Sequence, residues 1–167
     1  MKGKHMRFIF LIFLISCPPL FAQKLSDRDF QAGVLTLNGQ IDSIMSFLPK
    51  LNDIDSEAVP ETEPPDTEII YRFDSLWIST NQLGHIGYFE FTSVAFTTYR
   101  GVHVGDSAEK VRSLYGEPTD DTFHVSLSDD DRDETIMGYF KKNSTLGITF
   151  YISAGVVKRI SIGWGYC

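Results

Sequence analysis

The chain has 167 residues, and its 15 Lys and Arg stand against 22 Asp and Glu for a formal net charge of −7. Such a balance repels phosphate backbones and anionic headgroups, which excludes nucleic-acid binding and charge-driven adhesion to a membrane surface. Two cysteines, Cys17 and Cys167, give no disulfide framework, and the length allows one substantial core or two small cores sharing a face.

Lys2, Lys4 and Arg7 precede an apolar run from Phe8 to Ile15, followed by Ser16-Cys17-Pro18-Pro19-Leu20-Phe21-Ala22. A basic start, a short apolar stretch and a small residue at the cut predict a signal peptide over residues 1–22, cleaved between Ala22 and Gln23. The apolar run falls well below the roughly 20 residues of a spanning helix, so the mature chain is expected to be exported, periplasmic or secreted, with no transmembrane segment. Leu14-Ile15-Ser16-Cys17 also resembles a bacterial lipobox, which gives an alternative: an outer-membrane lipoprotein lipidated at Cys17. Cleavage at Ala22 removes three bases and no acid, leaving 12 bases against 22 acids.

Residues 23–98 are expected to form a first α/β unit. Ile41, Ile44, Met45 and Leu48 have the spacing of one helical face, opened by Asn38-Gly39 and closed by Pro49. Over residues 53–68, Asp53, Asp55, Glu57, Glu61, Glu63, Asp66 and Glu68 accumulate without a base and are interrupted by Pro60, Pro64 and Pro65, which reads as a solvated, flexible insertion. Ile69 to Ile78 reads as a strand with Ile69, Tyr71, Phe73 and Trp77 on one face, and Tyr88 to Tyr99 as another.

Residues 99–167 are expected to form a second unit. Asp106 can cap a helix and Glu109 can reach back to it, Ala108, Val111, Leu114 and Tyr115 line one face, and Gly116 and Pro118 stop it. An acidic stretch, Asp129-Asp130-Asp131-Arg132-Asp133-Glu134, then leads to strands near Ile136–Lys141, Leu146–Ile152 and Val156–Trp164. Ile44 corresponds to Val111 and Ile69/Phe73 to Ile136/Phe140 at one offset, with Leu83-Gly84 matching Leu146-Gly147 at a smaller one. The expected class is therefore α+β, a helix layered on antiparallel sheet, as a degenerate tandem repeat.

The segment Thr98-Tyr99-Arg100-Gly101-Val102-His103-Val104-Gly105-Asp106, with Val111, Tyr115-Gly116-Glu117-Pro118 and the strands that follow, resembles the small α/β modules of the β-lactamase-inhibitor-protein type, shared by the small lipoprotein of the outer-membrane barrel assembly machinery. The resemblance covers roughly residues 98–164. It implies a helix opened by a Gly-polar pair and closed by Gly-x-Pro, packed on antiparallel sheet, and a tandem of two such units. The first half departs from it, closing its helix with Pro49.

Few residues offer chemistry. Gly105-Asp106-Ser107 and Asp121-Thr122-Phe123-His124 resemble the two blocks of Gly-Asp-Ser hydrolases, but they follow each other after one short helix and no oxyanion-hole block lies between, which disfavours a serine hydrolase using Ser107. His85, His103 and His124 are dispersed without ligand spacing, so neither a metal nor a cofactor is expected. Asn143-Ser144-Thr145 reads as a hairpin turn and Cys167 as a terminal thiol. Strand alternation turns Leu146, Ile148, Phe150, Ile152, Ile160, Ile162 and Trp164 toward the helix and leaves Tyr139, Lys141, Thr149, Tyr151, Arg159 and Ser161 on an open face. Tyr and Arg are enriched where proteins bind one another, so Tyr139, Tyr151 and Arg159 are the candidate partner-binding residues of a non-enzymatic module, with a neutral or basic protein as partner.

Overall fold

The structure, a computed structural model, describes residues 24–59, 66–119, 124–125 and 134–164. A 3₁₀ turn (Asp27–Phe30) leads into the short hairpin β1 (Gln31–Ala32) and β2 (Leu35–Thr36), then α1 (Ile41–Ile44), a 3₁₀ turn (Met45–Phe47), and the strands β3 (Leu51–Val59), β4 (Asp66–Phe73), β5 (Leu76–Thr80) and β6 (Ile86–Phe91). After a loop come α2 (Ala108–Tyr115), β7 (His124–Val125), β8 (Glu134–Phe140), β9 (Leu146–Ser153) and β10 (Val156–Trp164). The described residues are mostly antiparallel sheet with two short helices. β3 to β10 form one eight-stranded sheet in the order β3-β4-β5-β6-β10-β9-β8-β7, each half a meander, the two joined where β6 pairs with β10.

Register explains the core. Phe73, Leu76, Phe91, Ile160, Phe150 and Met137 lie opposite one another across six strands, and Tyr71, Ile78, Phe89, Ile162, Ile148 and Tyr139 form the parallel row two residues along. Side chains alternate with period two, so both rows share a face, and all but the half-buried Tyr71 are buried. The same apolar cluster includes Phe30, Leu35 and Ile41 from the N-terminal segment and Ala108, Val111 and Tyr115 from α2. Tyr115 stacks at 5.2 Å on Tyr139 and 5.1 Å on Phe150, and its hydroxyl pKa is pushed up to about 12 by burial. Val111 and Tyr115 thus anchor α2, and Leu114, expected on that face, is only partly buried.

The two helices are entered through the same main-chain bonds. Asn38 N–H donates to Ile86 O (2.8 Å), Ile86 N–H to Gly39 O (2.9 Å) and Ile41 N–H to Gly84 O (3.0 Å). In the second half Gly105 N–H donates to Val157 O (2.9 Å), Val157 N–H to Asp106 O (2.9 Å) and Ala108 N–H to Gly155 O (3.0 Å). Asn38 (φ 63°) corresponds to Gly105 (φ 97°) and Gly84 (φ 77°) to Gly155 (φ 74°), each pair left-handed, a conformation that glycine adopts without strain and that Asn tolerates.

Several expectations are corrected. Residues 53–68 are not one flexible insertion: 51–59 and 66–73 are paired strands from Leu51↔Phe73 to Val59↔Asp66, and only 60–65 fall outside the described residues. Main-chain pairing overrides the low strand propensity of Asp and Glu. The stretch from Ile69 to Ile78 is two strands, because Asp74-Ser75 forms a tight turn that resets the alternation and sends Trp77 to the face opposite Phe73. The strand expected from Tyr88 to Tyr99 ends at Phe91. The helix cap is Ser107, whose Oγ accepts from Lys110 N–H (3.2 Å); Asp106 accepts from His103 N–H and from Lys110 Nζ, each at 2.8 Å. Gly155, not Gly147, takes the bonding role of Gly84.

Candidate functional site

Among the described residues, the face opposite the core rows contributes none to the apolar cluster. Asp53, Arg72, Trp77, Glu90, Ser161, Thr149 and Gly138 form its central row, placed by the same register that places the core rows on the other side. Ile70 is buried on this face yet lies outside the core cluster, opposite Ser79. Serines 79 and 161 are small and sit low between larger neighbours.

Those neighbours form a connected band. Trp77, 40% exposed, meets Tyr88 edge to face at 6.2 Å. The Tyr88 hydroxyl donates to Glu90 Oε2 (2.9 Å), and burial together with the Glu90 charge drives its pKa far above the ordinary tyrosine value. Arg159 Nη1 lies 3.4 Å from both Glu90 carboxylate oxygens, and its Nη2 lies 3.5 Å from Glu134 Oε2. The guanidinium carbon sits 3.7 Å from the centre of the Tyr151 ring, the geometry of a cation held against an aromatic face. Beside Trp77 a shallow cavity of about 240 Å³ is lined by Arg72, Asp74, Ser75, Glu90 and Thr92 among others.

Of the three residues chosen from the sequence, Tyr151 and Arg159 share this face and touch. Tyr139 does not. It pairs with Ile148 in a core row, is 2% exposed, donates its hydroxyl to Gly116 O (3.0 Å) and stacks on Tyr115 and Phe150, so it cannot meet a partner. Tyr139 and Ile148 are register partners, so the parity of β8 is one residue out of phase with that expected from the sequence, and a slip of one exchanges the faces. Lys141 lies beyond β8 and reaches Asp27 (3.0 Å). Trp77 and Tyr88 were missed; the signal available was Asp74-Ser75, a two-residue polar turn between apolar runs.

The residues raised for chemistry are dispersed. Ser107 is engaged as the helix cap, and among the described residues no histidine hydrogen-bonds to it. His103 Nδ1 lies 2.8 Å from Val104 O, and its Nε2 lies 3.6 Å from Asp106 Oδ1. His85 lies near Gln40 and Asn38 O at the other helix entry. Asp121, the His124 side chain, Cys17, Cys167 and residues 1–22 lie outside the described residues. Asn143–Thr145 falls in the turn joining β8 and β9. Among the described residues no group of three or more His, Cys, Asp and Glu is placed to hold a metal, and no helix is long and apolar enough to cross a membrane.

A buried ion pair also joins the N-terminal segment to the second half. Asp29, 1% exposed, accepts from Arg100 Nε (2.5 Å) and Nη2 (2.9 Å) and from the Ser26 N–H and hydroxyl. Arg100 also donates to Leu114 O and Lys24 O and lies 4.7 Å above the Tyr115 ring. Burial alone would raise the Asp29 carboxyl, but the Arg100 and Ser26 bonds outweigh it and hold it below the usual carboxylate range. This bidentate pair ties the N-terminal segment to the end of α2. Comparisons of the chain with protein-family models, with curated proteins and with solved structures found no match.

Proposed function

We propose that the chain is an exported, non-enzymatic binding module of a bacterial cell envelope, built as a degenerate tandem of two helix-on-sheet units, that presents the face of Trp77, Tyr88, Tyr151 and Arg159 to a protein partner. The carrying observation is the composition of that face. A merely solvated sheet surface is served by small polar and charged side chains, whereas here a half-exposed indole, two tyrosines and a guanidinium are fixed by mutual contacts. Held side chains lose little rotamer freedom on association, which makes rigid Trp, Tyr and Arg groups effective anchors.

The tandem reading is supported by the repeated helix-entry bonds and by the strand order, in which two meanders meet at their last strands. The non-enzymatic reading is supported by Ser107 serving as a cap. Export rests on the basic and apolar pattern of residues 1–22. Co-precipitation from envelope extracts with the wild type and a Trp77→Ala/Tyr151→Ala/Arg159→Ala variant tests the face: a specific partner lost by the still-folded variant is expected, and one retained equally overturns the assignment. Mass spectrometry of the mature protein separates a start at Gln23 from a lipidated Cys17.

A further inference from the structure

We infer that the free edge of β3 is a second binding surface, which accepts an extended basic segment of another protein as a ninth strand. It goes beyond the open face and deepens the reading of the chain as a binding module. β3 ends the sheet, and among the described residues β4 is its only neighbour. A strand normally buries one face. Here every residue from Asn52 to Ala58 is exposed, so β3 is held by its main-chain pairing with β4. Its outward amides and carbonyls form a row on which another strand can pair.

Protected edges carry lysines, prolines or inward charges, or are very short. Leu51–Val59 is nine residues long with no proline and no base, and its one register irregularity falls at the start, between Leu51 and Asp53, leaving the run to Val59 regular. Asp53, Asp55 and Glu57 point to one side, where they lie opposite Arg72, Ile70 and Glu68. Arg72 Nη1 lies 3.5 Å from both Asp53 Oδ2 and Asp55 Oδ2, and this single cation leaves the local cluster acidic. A second copy pairing antiparallel on this edge would set these carboxylates against each other, an arrangement that like charges disfavour. An incoming strand with Lys or Arg at every second position meets them with complementary charge. On the other side Ile54 is 53% exposed, which suits an apolar residue between the basic ones. The segment recognised is thus extended and alternates basic with apolar or β-branched residues. The local bond from Ser56 N–H to Asp55 Oδ1 (2.8 Å) must yield where that amide faces the incoming strand.

The probe is a fluorescein-labelled peptide, Lys-Thr-Lys-Val-Lys-Thr-Lys, titrated with purified protein in low salt and followed by anisotropy. Saturable binding is expected, weakened at least tenfold by Asp53→Lys/Asp55→Lys in a protein whose thermal unfolding is unchanged. Two further peptides, N-methylated on alternate residues so that one or the other edge loses its donors, separate strand pairing from charge attraction alone. One is expected to bind as the parent does and the other at least tenfold more weakly. Equal affinity of the two, affinity that survives the charge reversal, or no binding of the parent overturns the inference. Trp77→Ala/Tyr151→Ala/Arg159→Ala is expected to bind the parent peptide unchanged, since those residues lie two or more strands from β3, so failure at the edge and failure at the open face are read separately.

Discussion

The two helix entries share a main-chain scaffold and differ in nearly everything attached to it. Each is fixed by three equivalent hydrogen bonds to the tight turn before its last strand. Around α2 the side chains join in: Ser107 caps, Lys110 pairs with Asp106, and Val111 and Tyr115 are fully buried. Around α1 there is no side-chain cap, four helical residues pass into a 3₁₀ turn, and Pro49 follows. Main-chain geometry therefore persists where side-chain support does not, because the closing turn needs only two left-handed positions and partners for its amides.

The largest effects should come from what joins the halves. Asp29→Ala removes the buried carboxylate that accepts two bonds from Arg100 and should cost about 3–5 kcal/mol in urea unfolding, the range for breaking a buried pair. Because the folded Asp29 carboxyl is held low, its contribution is complete above the unfolded Asp value of about 3.9 and is lost as pH falls through the folded value. Urea midpoints should be level toward neutral pH and fall below about pH 4, and Asp29→Asn should flatten that fall. Phe150→Ala, under Tyr115 and Tyr139, should cost about 3–5 kcal/mol.

Smaller changes sharpen the contrast between the entries. Alanine at either Gly84 or Gly155 meets the left-handed penalty of roughly 1–2 kcal/mol. At Gly84 the added Cβ would also approach Gln40 Oε1 to 3.1 Å, whereas at Gly155 it meets nothing within 4 Å, so thermal unfolding should rank Gly84→Ala as the more damaging. Ser107→Ala should cost about 1 kcal/mol through the lost cap, while Gln40→Ala, at an entry with no side-chain cap, should stay within about 0.5 kcal/mol. Equal losses at the two caps would show that the hydrogen bond at Ser107 adds nothing.

Where local chemistry and burial agreed, the elements were legible. α2 has an apolar face, a polar start and a glycine stop, and the strands of the second half alternate or run apolar between turn residues. β3 was not legible: Asp and Glu disfavour strands, and its pairing with β4 is a property of the partner. Half of the candidate site was legible for a related reason. Tyr151 and Arg159 lie on adjacent strands joined by the tight Ala154-Gly155 turn, whereas Tyr139 depends on the register of β8 and Trp77 on the turn at Asp74-Ser75. A face is a parity, and one miscounted residue inverts it.

The pairing of β6 with β10 also sets an order of events. The sheet's middle is completed by the last of the described strands, roughly seventy residues after the neighbour it joins. Until Val156–Trp164 has emerged from the ribosome, β6 and β9 both wait with bare edges and the apolar row through Phe91 and Phe150 has a gap where Ile160 belongs. Such distant closure delays the completed sheet until the last of the described strands is available. Under the export proposed above, this lateness keeps the chain threadable through a translocation channel.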